Sequence, residues 1–240
     1  MYTLLMRLRA PMQSWGDHSR FIDRDTGREP TKSGVIGLIC AAMGIPREGD
    51  ISHLSAMRFG IRVNREGRIK TDFHTAGKSG YIRAKGAVEK EDLIVTHRHF
   101  LADADFLAGF ESQDSALLDS IHRALRSPVW DLYLGRKSFT PSLPVYIKNG
   151  VVNKNLIDAL AEYPIEYQRQ FERDENYKQN NTIKRRFAVE DADLSIDNAI
   201  MTRTINDQPL SFGKREFMPR NISIFFKDVP VTRGEKNVSE

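Results

Sequence analysis

The sequence predicts an α+β protein with two parts, residues 1–148 and residues 149–240. In the first part, alternating and helical apolar patterns follow one another as strand, helix, strand, strand, helix and strand, which is the ferredoxin-like, split βαβ order. After Val145 the pattern changes to one short helix and several strands, which predicts a smaller, mainly antiparallel β lobe. A chain of 240 residues, 40% hydrophobic and 28% charged, can bury a sizeable core.

The first strand, a long loop and the first helix are predicted within the first fifty residues. Residues 2–10 alternate loosely between apolar and other side chains, as a half-buried strand does. The polar, glycine-containing stretch 13–30 predicts a long loop, and long loops inside compact domains are often functional. Ser33 is the predicted N-cap of an apolar, buried helix over 34–43, which ends at Gly44.

The other elements of the first part follow from alternation, turn residues and caps. Residues 59–63 and 69–73 alternate on either side of a polar turn with a glycine, which predicts a β-hairpin. Residues 75–92 are small, polar and basic, and they predict an extended loop. The remaining elements are a strand from Leu93, a helix capped by Ser112 that ends before Pro128, a strand over 129–134 and a turn over 135–138.

The second part predicts shorter elements. They are a helix over 155–162, a strand over 165–171, a polar stretch over 174–184, strands near 199–205, 210–217 and 222–226, and a frayed tail from Arg233.

The chain is mildly basic, and the distribution of its charge is more informative than the total. Lys and Arg number 36 against 32 Asp and Glu, a net charge of +4, which is compatible with a polyanionic partner without requiring one. The basic residues gather in three places: Arg7 to Arg9 with Arg20 to Lys32, Arg83 with Lys85, and Lys184 to Arg186.

The cysteine content and the lack of long apolar runs bear on the compartment. The single Cys40 excludes an internal disulfide, and its apolar surroundings predict a buried, unreactive thiol. The N-terminus has no signal-peptide pattern, and no apolar run reaches the roughly 18 residues of a membrane span. We therefore expect a soluble, cytoplasmic protein without a membrane partner.

Three segments of the first 145 residues stand out by their order and spacing. They are Leu8 to Gly16 followed by Pro30 to Leu38, Asp72 to Thr75 followed by Thr96 to Ala104, and Leu132 to Ser142. Together they resemble the fifth CRISPR-associated protein family of the RAMP superfamily, in its type I-E Cascade branch. The resemblance implies an RNA-recognition-type (RRM-type) fold with a protruding thumb loop, here at about residues 75–96, and a smaller C-terminal part.

The same resemblance implies a function and a set of partners. A member of this family is expected to be a non-catalytic subunit of a ribonucleoprotein complex for antiviral defence. It would bind and cap the 5′ handle of CRISPR RNA and contact the backbone and large subunits of Cascade. Target DNA would be met only through the complex, and no cofactor is implied.

Holding a single-stranded RNA end requires cations for phosphates, flat groups for unstacked bases and backbone donors at flexible glycines. In the N-terminal segment, Arg9 can meet a phosphate, Gln13 a base edge and Trp15 a base face. Each has a plain alternative, since Arg9 can be a solvated strand charge, Gln13 can close a turn and Trp15 can belong to the core. The predicted RNA-binding residues are Arg9, Gln13, Trp15, Arg20, Lys32, Ser33, Gly34, Lys78, Tyr81, Arg83, Lys85, His97, Arg136 and Lys137.

Three groups in that set have their own rationale. Lys32, Ser33 and Gly34 stand at a predicted helix N-terminus, which favours anions. The thumb residues alternate with glycines, which suits an arm that orders on RNA but equally a plain solvated loop. Arg136 and Lys137 follow a glycine turn and can contact phosphate or cover a sheet edge.

Two other functions remain open. Relatives in another CRISPR subtype cleave precursor RNA without metal by using tyrosine, lysine and histidine, and His74, His97 and His99 flank a loop that contains Tyr81 and Lys85. The other is a pure protein–protein adaptor. His97 and His99 share one strand face but have no third metal ligand at a suitable spacing. Because the sequence has no recognisable catalytic or metal motif, we predict binding without catalysis.

Overall fold

The structure is a computed structural model that describes residues 1–16, 22–77, 80–82, 86, 88–89 and 93–233. In chain order its elements are β1 (Tyr2–Arg9), β2 (Met12–Gln13), β3 (Asp23–Arg24), α1 (Lys32–Met43), α2 (Ser52–Ser55), β4 (Arg58–Arg65), β5 (Arg68–Ala76), β6 (Tyr81–Ile82), β7 (Val88–Glu89), β8 (Ile94–Ala102), β9 (Asp105–Ser112), α3 (Ser115–Arg126), β10 (Tyr146–Val152), α4 (Leu156–Glu162), β11 (Ile165–Glu166), a 3₁₀ helix (Arg169–Arg173), α5 (Glu175–Asn180), β12 (Thr182–Glu190), β13 (Met201–Ser211) and β14 (Glu216–Thr232).

One large sheet organises the fold. Its strands lie in the order β10–β1–β9–β4–β12–β14–β11, and β13 pairs with β14. Within the described residues only the short pair of β11 with β14 in this sheet is parallel. The predicted α+β class with a mostly antiparallel sheet is therefore confirmed. In chain order β1, α1, β4, β9, α3 and β10 run as strand, helix, strand, strand, helix and strand, but β9 and β10 are not the strands predicted over 69–73 and 129–134.

Strand β12 connects the two halves of the chain. It pairs with β4 on one side and with β14 on the other, so strands of the second half continue the sheet of the first. The boundary predicted at residue 148 falls inside β10. The prediction missed β12 because its run Lys184-Arg185-Arg186 hides the alternation of Ile183, Phe187 and Val189, all of which are buried.

Three strand predictions are wrong. Strand β4 pairs with β9 and β12, and β5 pairs with β8, so they do not form the hairpin predicted for 59–63 and 69–73. The reason is burial, since β4 lies inside the large sheet whereas β5 leaves it with exposed side chains. Residues 129–134 form no strand, because their first two amides bond to carbonyls of the last turn of α1. Of the strand predicted over 165–171, only β11 forms, and the 3₁₀ helix follows it.

Helix boundaries are close to the predicted ones, with two different caps. Thr31, not Ser33, caps α1, and its Oγ1 accepts a hydrogen bond from the Gly34 amide at 3.2 Å. Asp114, not Ser112, caps α3. The end of α1 at Gly44 is confirmed, with a φ of 72° in the left-handed region that glycine tolerates best.

A second, smaller sheet stands beside the first. Strands β5 and β8 pair along nine residues, from Arg68 opposite Ala102 to Ala76 opposite Ile94, and β2 and β3 lie on the other side of β8. The loop predicted from residue 75 therefore begins later and contains the short pair β6–β7. The predicted contacts at Arg20, Lys78, Arg83 and Lys85 lie outside the described residues.

Both faces of the large sheet are covered. Leu4, Met6 and Leu8 of β1 pack with α1 and α3 in one core, whereas Leu5 packs with α4 in a second core on the opposite face. This alternation is the period-two pattern of a strand buried on both sides. Of the helices in the described ranges, none has the length and apolarity to cross a membrane.

The prediction for Cys40 can be tested chemically. Its side chain is 6% exposed, and burial raises the pKa of the thiol to about 11. We expect a thiol reagent at pH 8 to label the native protein on the order of 100-fold more slowly than the urea-unfolded chain, because the thiolate is the reactive form. Equal labelling rates in the two states would contradict the buried position.

Candidate nucleic-acid interface

A groove of about 550 Å³ opens where the start of α1, the strands β3 and β8, the turn at Gly135 and the hairpin β13–β14 meet. We call it the arginine groove. Its wall contains Ser14, Trp15, Gly16, Arg24, Asp25, Thr31, Ser33, Gly34, Arg98, Gly135, Arg136, Phe212 and Phe217.

Three guanidinium groups dominate this groove. Arg24 and Arg98 are direct neighbours in the pairing of β3 with β8, and Arg136 reaches across to donate a hydrogen bond from Nη2 to the carbonyl of His99 at 2.9 Å. Burial and the charges of Arg98 and Arg24 lower the pKa of Arg136, and Asp72 opposes them. In the part of the chain that the structure describes, no carboxylate lies within 4 Å of these three groups. The groove is therefore suited to anions.

Two aromatic side chains also line the groove. Phe217, at the start of β14, is 38% exposed, and Phe212 is partly buried against the core. The Arg136 guanidinium lies over the ring of Phe139, 5.2 Å from the ring centre, and this cation–π contact restricts its position. Cationic and aromatic groups facing one groove are the combination that single-stranded nucleic acid requires.

Gln13 and Trp15 are part of the structure rather than free ligands. Gln13 is fully buried, and its Nε2 donates to the carbonyls of Ala104 at 2.9 Å and Leu8 at 3.2 Å. Trp15 is 2% exposed, and its Nε1 donates to Gln13 Oε1 at 3.1 Å. The burial and the internal hydrogen bonds of both side chains argue against the predicted base contacts, although Trp15 forms part of the groove wall.

Lys32 is also a structural residue. Its side chain is fully buried, and Nζ lies 2.9 Å from Glu190 Oε2. Burial lowers the pKa of Lys32, and the Glu190 charge opposes this effect. The Lys32 amide donates to Asp207 Oδ2 at 2.7 Å, so a carboxylate of the chain itself already occupies the anion position at the start of α1. The predicted phosphate contact of Lys32 is therefore corrected to an internal ion pair.

The other predicted residues are distributed over several surfaces. Arg9 lies outside the arginine groove and pairs with Asp105 at 3.9 Å and Glu166 at 3.6 Å. His97 is exposed on the face of β8 opposite to Arg98, with its ring centre 5.9 Å from that of Phe73. Tyr81 lies in β6, half-buried, and Lys137 is exposed beside Arg136.

The groove thus brings together Ser33, Gly34 and Arg136 from the predicted set, with the edge of Trp15. Sequence reasoning missed Arg24, Arg98, Phe212 and Phe217. Arg24 lies in the basic run 20–32, and Arg98 lies in the motif 96–104. The sequence near Arg24 and Arg98 does not indicate that they pair, because β3 is a parallel strand of only two residues. It also does not indicate where the β13–β14 hairpin lies.

The histidines do not converge on one site. His99 lies between Asp23, 3.0 Å from its Nε2, and Thr71, 2.9 Å from its Nδ1. His74 contacts Thr96 on the opposite face of the same hairpin. Among the described residues no three His, Cys, Asp or Glu side chains group closely enough to hold a metal ion.

Gly135 sets the position of Arg136, which yields a prediction. Its φ is 99°, and a Cβ at this position would lie 1.9 Å from the carbonyl oxygen of Ser14. We expect Gly135→Ala to lower the free energy of unfolding by about 2–4 kcal/mol in urea titration. Gly86→Ala is the matched control, because Gly86 also has a positive φ, 81°, but no atom of another described residue lies within 4 Å of the position that a Cβ would take. Equal losses in the two variants would mean that the contact with Ser14 is unimportant.

Comparison with known proteins agrees with this architecture. The model of a family described as CRISPR-associated protein (Cas_Cas5) matches residues 3–223. The chain belongs to this family, Cas5. The CRISPR system Cascade subunit CasD of Escherichia coli (strain K12) is 31% identical over 158 residues, which are 60% of this chain and 69% of that protein. The predicted family resemblance is confirmed.

Two solved structures extend the similarity to nearly the whole chain. A chain of a CRISPR RNA-guided surveillance complex is 31% identical with a TM-score of 0.79, over 97% of this chain and 95% of that one. A crystal structure of a Cas protein is 36% identical with a TM-score of 0.69, over 97% of this chain and 98% of that one.

Proposed function

We propose that this chain is a subunit of a Cascade-type CRISPR complex that binds the 5′ handle of CRISPR RNA in the arginine groove and does not cleave it. The observation that carries the proposal is that Arg24, Arg98 and Arg136 line one groove together with two aromatic rings, in a chain of the Cas5 family. Guanidinium groups bind phosphate oxygens with two parallel hydrogen bonds, and aromatic faces accept unstacked bases. Such a groove follows a strand of RNA without requiring a particular sequence.

We infer that the thumb predicted at about residues 75–96 extends over the whole of the paired strands β5 and β8. It carries Arg98 on its groove side and exposes Phe73, 63%, and Val95, 36%, on the other. An arm with cations on one face and apolar groups on the other is suited to lie between RNA and a neighbouring protein subunit. We infer that it contacts the adjacent backbone subunit, that the large subunit docks nearby, and that target DNA meets this chain only within the complex.

Binding without cleavage is supported by the separation of the candidate acid–base groups. Metal-free RNA cleavage needs an acid and a base on either side of one phosphate. His74 and His97 lie on opposite faces of one hairpin, and His99 bonds to Asp23 and Thr71. None of them lines the arginine groove.

The experiment uses the purified full chain and a CRISPR repeat RNA labelled at its 5′ end. We expect retention of the RNA on the protein and no specific cleavage product. Specific cuts that disappear in His74→Ala or His97→Ala would replace this proposal with an endoribonuclease. RNA retention in the reconstituted complex that ignores both salt and the groove arginines would replace it with a protein adaptor.

A further inference from the structure

A second basic pocket lies where β4 and β12 separate. The two strands pair from Gly60 opposite Val189 to Val63 opposite Arg186, and beyond that point β4 continues beside β9 while β12 continues beside β14. The space between their ends, about 380 Å³, is the fork pocket, lined by Arg65, Lys184, Arg185, Arg186, Glu66 and Phe226 among others. It shares no residue with the arginine groove.

The positive charge of the fork pocket is only partly neutralised. The charge of Arg186 is neutralised by two carboxylates, since Arg186 forms two hydrogen bonds with Glu66, 2.7 and 3.0 Å, and an ion pair with Glu29. In the ranges that the structure covers, Arg65, Lys184 and Arg185 have no carboxylate within 4 Å. Arg185 also has contacts within the chain, since its Nη1 donates to the carbonyl of Lys184 at 2.9 Å and its guanidinium lies 5.0 Å from the ring centre of Phe171. Within these ranges, three positive charges without a carboxylate within 4 Å therefore line one opening.

Buried donors without partners point to a ligand. The Nε atoms of Arg65 and Arg185 are buried and, among the described residues, have no hydrogen-bond acceptor. Buried guanidinium nitrogens nearly always have a partner, because leaving one unpaired costs about 1–3 kcal/mol or more. The fully buried Arg62 lies close to Arg185. Burial lowers the pKa of Arg62 to about 9, the charge of Asp105 opposes this effect, and the charge of Arg185 adds to it.

We propose that the fork pocket binds a phosphodiester group of a single-stranded nucleic acid, as a second contact separate from the arginine groove. Arg65 and Arg185 supply the guanidinium forks that fit a phosphate, and Lys184 supplies an exposed point charge. Phe226, 44% exposed on β14 and paired in register with Arg186, offers a ring face for the adjoining base. The exposed ring favours nucleic acid over an acidic peptide, because a base stacks on an aromatic face and an acidic side chain does not.

The test measures binding of the full chain to a fluorescent single-stranded RNA and to DNA of the same sequence across a salt series. Lys184→Gln combined with Arg185→Gln is expected to weaken binding about tenfold and to reduce the salt slope by about 1 to 1.5. Arg123→Gln combined with Arg126→Gln removes two exposed charges from α3 and is expected to change neither by more than about twofold. Arg185→Lys keeps the charge without the fork and is expected to lose about threefold.

The outcomes separate the alternatives. A loss with RNA alone or with DNA alone supports the site and identifies the strand it holds, whereas unchanged affinity and slope for both strands overturn it. A loss of polyglutamate binding with unchanged nucleic-acid binding also overturns it. If the double variant unfolds, the exposed Lys184→Gln alone carries the test, with about a threefold loss expected. The proposed function is tested at Arg24, Arg98 and Arg136, so either site can fail while the other stands.

Discussion

Replacing Arg24, Arg98 and Arg136 together by glutamine is expected to weaken binding of a CRISPR RNA 5′ handle by about 100-fold at low salt. The physical reason is that these guanidinium groups share one groove and have no neutralising carboxylate within 4 Å in the described part of the chain. With three fewer phosphate contacts, binding releases fewer counterions from the RNA. The slope of log affinity against log salt concentration should therefore fall in magnitude by about 2. Fluorescence anisotropy of a labelled RNA measures both quantities.

The matched control removes the same number of charges elsewhere. Arg123, Arg126 and Lys148 are exposed on α3 and β10, outside the arginine groove, and their triple glutamine variant should bind RNA within about twofold of the parent. Equal losses in the two triple variants would mean that only net charge matters. An unchanged affinity in the groove variant would remove the basis for the proposed function.

The different fates of the predicted residues show what a sequence pattern can determine. Strand β1 and helix α1 were predictable because apolar periodicity and a terminal glycine are local signals. Gln13 and Trp15 were ambiguous because an amide and an indole suit an RNA site and a satisfied core equally well. Their partners decide the matter, and the Ala104 carbonyl that Gln13 bonds lies 91 residues away in the chain.

Non-local contacts also determine which residues line the groove. Arg136 was predictable from the glycine turn before it, whereas Arg24 and Arg98 become neighbours only through the parallel pairing of β3 with β8. Phe217 enters the groove because β12 joins β14 to the large sheet, and the basic run in β12 concealed that strand. Non-local strand pairing was therefore the part of the fold that the residue pattern could not supply.

The second large effect concerns Lys32, where the sequence predicted a phosphate ligand and the structure has a buried ion pair. Lys32→Met should lower the free energy of unfolding by about 3–5 kcal/mol, because it removes the cation closest to the Glu190 carboxylate. For a chain of this length the melting temperature should fall by about 6–20 °C. RNA affinity, measured where the variant is folded, should stay within about twofold of the parent. Lys214→Met, at an exposed lysine, should change stability by less than about 0.5 kcal/mol.

A double variant separates the ion pair from simple packing. In Lys32→Met combined with Glu190→Gln both charges are gone, so much of the lost stability should return if the cost of the single change is an unpaired carboxylate. The recovery should be incomplete, because Glu190 Oε2 also accepts from the amide of Phe59 at 3.3 Å and lies 4.0 Å from Arg220. A loss of RNA affinity in Lys32→Met without a loss of stability would instead mean that Lys32 contacts the RNA. The pair spans 158 residues of sequence, so its expected effect is to hold the first helix against β12 and thereby fix the wall of the groove.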